Sequence, residues 1–83
     1  MKHILTRHAR KRLRERAISR QLLETALREP TSVGYDTDGR ILFKKLYRKH
    51  NTRRLLLVVG IKTEPTTLKI LTVIETSKVQ KYL

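Results

Sequence analysis

Two segments near the start of the chain carry apolar residues at helical spacing. The first has one at every fourth position, at Leu5, Ala9, Leu13 and Ala17. This spacing is typical of one face of an amphipathic helix, and Thr6 can cap its start, so a helix is predicted over residues 7–17. The second has Leu22, Leu23, Ala26 and Leu27 between the capping residue Ser19 and Pro30. It predicts a helix over residues 20–28, because the residue before a proline disfavours helical backbone.

The rest of the chain alternates β-rich runs with turn residues. Residues 36–39 read Asp-Thr-Asp-Gly, a typical hairpin turn, and residues 48–52 are a polar connector. The continuous apolar run that starts at Leu55 is typical of a central strand buried on both faces. Four strands are predicted, over residues 31–35, 40–47, 54–62 and 68–75, with a tail over residues 76–83. This order predicts one domain over residues 1–83, an α+β fold with two N-terminal helices packed on a four-stranded, mostly antiparallel sheet.

Charge is the most informative bulk property of the chain. Its 20 Lys and Arg against 7 Asp and Glu give a formal net charge of +13. Eight of the basic residues fall within residues 1–20, together with a single acid, Glu15. Such an excess repels itself and usually serves binding to a polyanion, with an acidic protein partner as the alternative.

Composition narrows the classes of function further. The chain has no cysteine, which excludes a disulfide framework, a thiol nucleophile and a thiolate metal site. The acidic residues show no ligand spacing and no Gly-rich phosphate loop occurs, so neither a metal nor a cofactor is expected. The longest apolar run falls far short of the about 20 residues that a membrane span requires, and no signal-peptide pattern precedes it. We therefore expect a cytoplasmic protein without a membrane partner.

The first predicted helix carries candidate chemistry beside its apolar face. His8, Arg12 and Arg16 are four residues apart and share one edge of the helix. The other basic residues cover its outer face, where we expect them to bind RNA, namely Arg7, Arg10, Lys11 and Arg14. Cleavage of RNA without metal needs a base for the 2′-hydroxyl, an acid for the leaving 5′-oxygen and cations for the phosphate. His8 could supply the acid or base, and the two arginines could hold the phosphate. The alternative is a solvated helix surface.

The predicted strands add further candidates. Tyr47 and Arg48, at a strand end, could contact a base of RNA as a pair, and Lys45 on the same strand is a further candidate for RNA binding. Thr72 lies in the middle of the last strand. It either reflects β-propensity alone or presents its hydroxyl to the first helix.

Residues 6–19, TRHARKRLRERAIS, resemble the opening T-x-H-A-x-x-R-hydrophobic-x-x-R-x-I-S of a family of small bacterial and phage domains of unknown function. That family is grouped with the RelE/ParE toxin superfamily. The similarity continues through a helix that ends at a proline and four strands, with residues 71–74 similar to a late "T-V" strand. Where the family has an aromatic residue after that pair, this chain has Ile74 and Glu75.

The resemblance implies a RelE-like fold and an mRNA-cleaving toxin that is neutralised by an antitoxin. It also implies a site lined by His8, Arg12, Arg16 and Thr72, although ParE-like relatives poison gyrase instead. We therefore expect a toxin-like protein that binds RNA, including ribosome-bound mRNA, and acts as a metal-independent endoribonuclease, with an acidic antitoxin as partner. A non-catalytic RNA- or ribosome-binding module and a ParE-like inhibitor of a protein such as gyrase are the alternatives.

Overall fold

The computed structural model describes residues 2–83. The described residues form five strands and three helices, in the order β1 Lys2–Leu5, α1 Arg7–Glu15, α2 Arg20–Arg28, β2 Ser32–Tyr35, β3 Ile41–Lys49, β4 Thr52–Glu64, β5 Thr67–Thr76 and α3 Val79–Tyr82. The bounds of α2 match the predicted helix, and β3 and β4 are both longer than their predicted strands.

The strands form one mixed sheet in the order β1-β5-β4-β3-β2. β1 runs parallel to β5, and the remaining pairs are antiparallel. The predicted RelE-like α+β arrangement of two helices on a four-stranded sheet is therefore wrong, since a fifth strand forms one edge and strand outweighs helix. The sequence Lys-His-Ile-Leu is too short for its alternation to stand out, and its partner strand lies far along the chain. His3 is half-buried in this strand.

The core lies between the sheet and the first two helices. Leu23 and Ala26 of α2 and Ala9 of α1 are fully buried against Leu56, Val58, Ile70 and other residues of the sheet. The adjacent Leu55 points to the opposite face of β4 and is also fully buried. Burial on both faces confirms that the apolar run forms a central strand.

The predicted connector over residues 48–52 is a tight turn of two residues. Lys49 pairs with Thr52 across the β3–β4 hairpin, and only His50 and Asn51 lie between them, with φ of 54° and 62°. Positive φ at both central positions is the geometry of a type I′ turn, which matches the twist of the strands that it joins. Arg48 therefore belongs to β3, where it is exposed.

The first helix ends earlier than its apolar spacing predicts. Arg16 caps α1, and Ala17 follows it with φ of 52°. The backbone N–H of Ile18 donates to the carbonyl of Leu13 at 2.9 Å, and that of Ala17 donates to the carbonyl of Arg14 at 3.2 Å. This pair of bonds is the Schellman motif, which usually has glycine at the left-handed position. The predicted fourth apolar position of the helix is thus an exposed turn residue.

The C-terminal segment, predicted as a tail, forms the short helix α3. Its first residue, Val79, is buried, and the helix packs against β4. Val79, Tyr82 and Leu83 do have helical spacing, but three apolar residues within one turn are too few to distinguish a helix from a tail.

Candidate nucleic-acid interface

Thr6 fixes the start of α1 to the edge of β5. Its backbone N–H donates to the carbonyl of Ile70 at 3.1 Å, and its hydroxyl donates to the carbonyl of Leu71 at 3.2 Å. The same hydroxyl oxygen accepts from the backbone N–H of Ala9 at 3.1 Å, as the predicted N-cap should. One side chain therefore both caps the helix and sets its position along β5.

This anchoring brings His8 to Thr72. Nε2 of His8 lies 3.0 Å from Oγ1 of Thr72, and the imidazole remains exposed to solvent. Because a hydroxyl can donate or accept, Thr72 can hold either tautomer of the ring. Imidazole is the side chain that most readily takes up and releases a proton near neutral pH, and here the ring has a fixed orientation with access to a ligand.

Arg12 is half-buried one helical turn after His8, whereas Arg16 lies beyond the last helical residue and is exposed. The remaining basic residues of α1 are exposed and occupy other sides of the helix. Within residues 2–83, no cation of residues 7–16 forms an ion pair with a carboxylate. The structure therefore brings His8 to Thr72, with Arg12 one turn further along α1, and among residues 2–83 it leaves the basic side chains of α1 without an ion-paired carboxylate.

The predicted contacts on β3 lie away from this group. Lys45 donates through Nζ to the carbonyl of Glu29 at 2.7 Å, and the hydroxyl of Tyr47 donates to the carboxylate of Glu75. Arg48 follows Tyr47 in the strand, so the two side chains point to opposite faces. β3 is two strands from β5, or about 10 Å at ordinary strand spacing. The predicted base-contacting pair, Tyr47 and Arg48, therefore places one side chain on each face of the sheet, and its contact with RNA stays a prediction.

Glu75 is the centre of a polar cluster that sequence reasoning missed. Besides the bond from Tyr47, its carboxylate oxygens lie 3.6 Å from Nη1 of Arg54 and 3.8 Å from Nζ of Lys49. Burial and the bond to Glu75 raise the pKa of Tyr47 well above its usual range. Nε of Arg54 is buried and has no hydrogen-bond partner among the described residues. The only signal in the sequence was a lone acidic residue near the end of a predicted strand, which does not by itself indicate a cluster.

Within residues 2–83, no group of three or more His, Cys, Asp or Glu side chains is placed to hold a metal ion. Across the same residues, no helix has the length and apolar character needed to cross a membrane.

Comparison with known proteins identifies a family and no characterised relative. The sequence model of a family described as a domain of unknown function, DUF4258, matches residues 5–75, and the chain belongs to that family. No curated protein and no solved structure matches it. Membership in a family of domains of unknown function is thereby confirmed, and the match itself says nothing of toxins or of the RelE/ParE superfamily.

Proposed function

We propose that this member of the DUF4258 family is a toxin-like RNA-binding protein that cleaves RNA without a metal ion, with His8 as a proton-transfer group. The observation that carries the proposal is the 3.0 Å contact between His8 and Thr72 at the base of an uncompensated basic helix. A surface histidine without a role has no need of a fixed orientation. The formal charge of +13 supports RNA as the ligand, because RNA is a polyanion and arginine binds phosphate through charge-assisted, bidentate hydrogen bonds.

The proposed reaction is attack of a ribose 2′-oxygen on the adjacent phosphorus. The bond from phosphorus to the 5′-oxygen breaks, so that one product ends in a 2′,3′-cyclic phosphate and the other begins with a 5′-hydroxyl. His8 either takes the proton of the 2′-hydroxyl, while water protonates the leaving 5′-oxygen, or gives a proton to the leaving oxygen, while water takes that of the 2′-hydroxyl. Arg12 and Arg16 stabilise the negative charge that accumulates on the phosphate in the transition state, and Thr72 is a positioning residue for the imidazole.

The opening motif of residues 6–19 supports a function like that of the RelE/ParE toxin superfamily. In this proposal the substrate is cytoplasmic RNA, including mRNA on the ribosome, and an acidic antitoxin covers the basic surface while the protein is idle. The lack of ion pairs on α1 supports an acidic partner as well as RNA, since either would supply the missing negative charge.

Replacing His8 tests the catalytic part of the proposal. His8→Asn should lower the rate of RNA cleavage by about 10²–10⁴-fold, the usual contribution of a positioned acid or base. Affinity for RNA should stay close to that of the parent, since the ring is exposed and its replacement removes little buried surface from the fold. His50→Asn is the matched control, because His50 is exposed in the β3–β4 turn and asparagine suits its positive φ.

Both variants are compared with the parent by growth arrest on expression, by mapping of RNA ends and by circular dichroism. Thr72→Val should narrow or shift the pH–rate profile of cleavage. Thr72→Ser should keep the profile of the parent, because serine retains the hydroxyl that orients His8. If folded His8→Asn protein cuts RNA as fast as the parent, the catalytic role is refuted. A parent that binds RNA but never cuts it would make the protein a non-catalytic binding module.

A further inference from the structure

A pocket opens between α1 and α2 on the side of α1 away from His8. Four arginines line it, Arg7, Arg10, Arg14 and Arg20, over an apolar floor that includes Leu13 and Ile18. At about 100° of rotation per helical residue, the three arginines of α1 centre about 150° around the helix from His8 and Arg12. The pocket is therefore a separate feature from the His8 site, and Arg20 belongs to it alone.

The charges of this pocket oppose the stability of the helices that carry them. Arg7 and Arg20 are the first residues of α1 and α2, and neither helix has an acidic residue in its first turn. A cation at a helix N-terminus opposes the macrodipole, and Arg10 and Arg14 repel each other one turn apart. Among residues 2–83, none of the four has a carboxylate partner. Destabilising cations that converge on one concave surface indicate a site built for an anion from outside the chain.

We propose that this pocket binds successive phosphates of a single RNA strand, as a second phosphate site on the opposite side of α1 from His8. The inference rests on the proposed function and extends it, because the strand would contact both sides of α1. RNA fits the lining better than a single small anion would. The four guanidinium groups exceed the charge of one phosphodiester, and the apolar floor can lie against a ribose or a base.

Arg20→Gln separates this site from an ordinary charged surface. Binding of a short single-stranded RNA should weaken roughly tenfold, as expected for loss of a charge-assisted hydrogen bond. The slope of log affinity against log salt should become shallower by about 0.7, the value for one phosphate on a single strand. The melting temperature of the free protein should rise, because a cation leaves the start of α2. If Arg20 instead stabilised the fold, Arg20→Gln would lower the affinity for RNA and the melting temperature together.

The matched control is Arg53→Gln, which removes the same charge from an exposed position in β4. It should leave the salt slope near that of the parent. Where the parent binds RNA tightly, the proposal still fails if Arg20→Gln and Arg53→Gln bind RNA with the same affinity and the same salt slope. It also fails if an acidic peptide, and not RNA, binds in a manner that depends on Arg20. A parent that binds no RNA refutes this site and the proposed function together.

Discussion

Ala17 holds a backbone conformation that its side chain opposes, and Ala17→Gly should stabilise the protein. With φ of 52°, this residue occupies the left-handed position of the Schellman motif that ends α1. That conformation costs a non-glycine residue about 1–2 kcal/mol, whereas glycine adds about 0.5–1 kcal/mol of entropy to the unfolded chain. The net gain in the free energy of unfolding thus lies between about 0 and 1.5 kcal/mol, and its central value of about 0.7 kcal/mol is a rise in melting temperature of about 3–6 °C for a domain of this size.

Thermal and urea unfolding of the two proteins measure this difference. Ala9→Gly is the matched control, because Ala9 is fully buried within α1. There the same substitution should lower the free energy of unfolding by about 1–2 kcal/mol, since glycine has a lower helix propensity and removes a fully buried methyl group. Opposite signs at the two positions are the expected result. If Ala17→Gly destabilises the protein as Ala9→Gly does, the left-handed cap is not the conformation of the chain in solution.

Two further predictions concern the dependence of stability on pH. Hydrogen bonds from the backbone N–H of Arg40, and then of Asp38, lower the pKa of Asp36. The ionised carboxylate therefore stabilises the β2–β3 turn at neutral pH. This stabilisation is lost as the pH falls through the lowered pKa. The advantage of the parent over Asp36→Asn in thermal melts should therefore vanish in strong acid, and an advantage that stays constant down to that range would contradict the assignment. Burial and the bond to Glu75 raise the pKa of Tyr47, so the folded state resists ionisation of this side chain. The unfolded chain ionises near pH 10, the usual value for tyrosine, so the folded state loses stability as the pH rises above about 10. Tyr47→Phe should remove that alkaline loss, and an unchanged alkaline slope in urea unfolding would count against the cluster around Glu75.

The sequence predicted those features that depend on residues close to one another along the chain. Ser19 and Pro30 bracket α2, and its apolar spacing gave the bounds that the structure shows. His8 was nominated as a candidate in the same way, from its place beside the apolar face of α1, and its role stays a prediction. The Glu75 cluster could not be found so, because Tyr47 and Glu75 are 28 residues apart and meet only through the pairing of β3, β4 and β5. Local spacing carries no information on that register.

The strand that the sequence pattern did not reveal is also the one that builds the candidate site. β1 pairs with β5 at a constant offset of 65 residues, from Lys2 with Thr67 to Leu5 with Ile70, and the bond from Thr6 to Leu71 continues this offset. The chain then becomes helical, and two helical residues rise about 3.0 Å, close to the about 3.3 Å of one strand residue. The partner of His8 is accordingly Thr72, one residue beyond Leu71 and at an offset of 64. Helical spacing can thus nominate His8, but only the parallel edge strand determines which hydroxyl holds it.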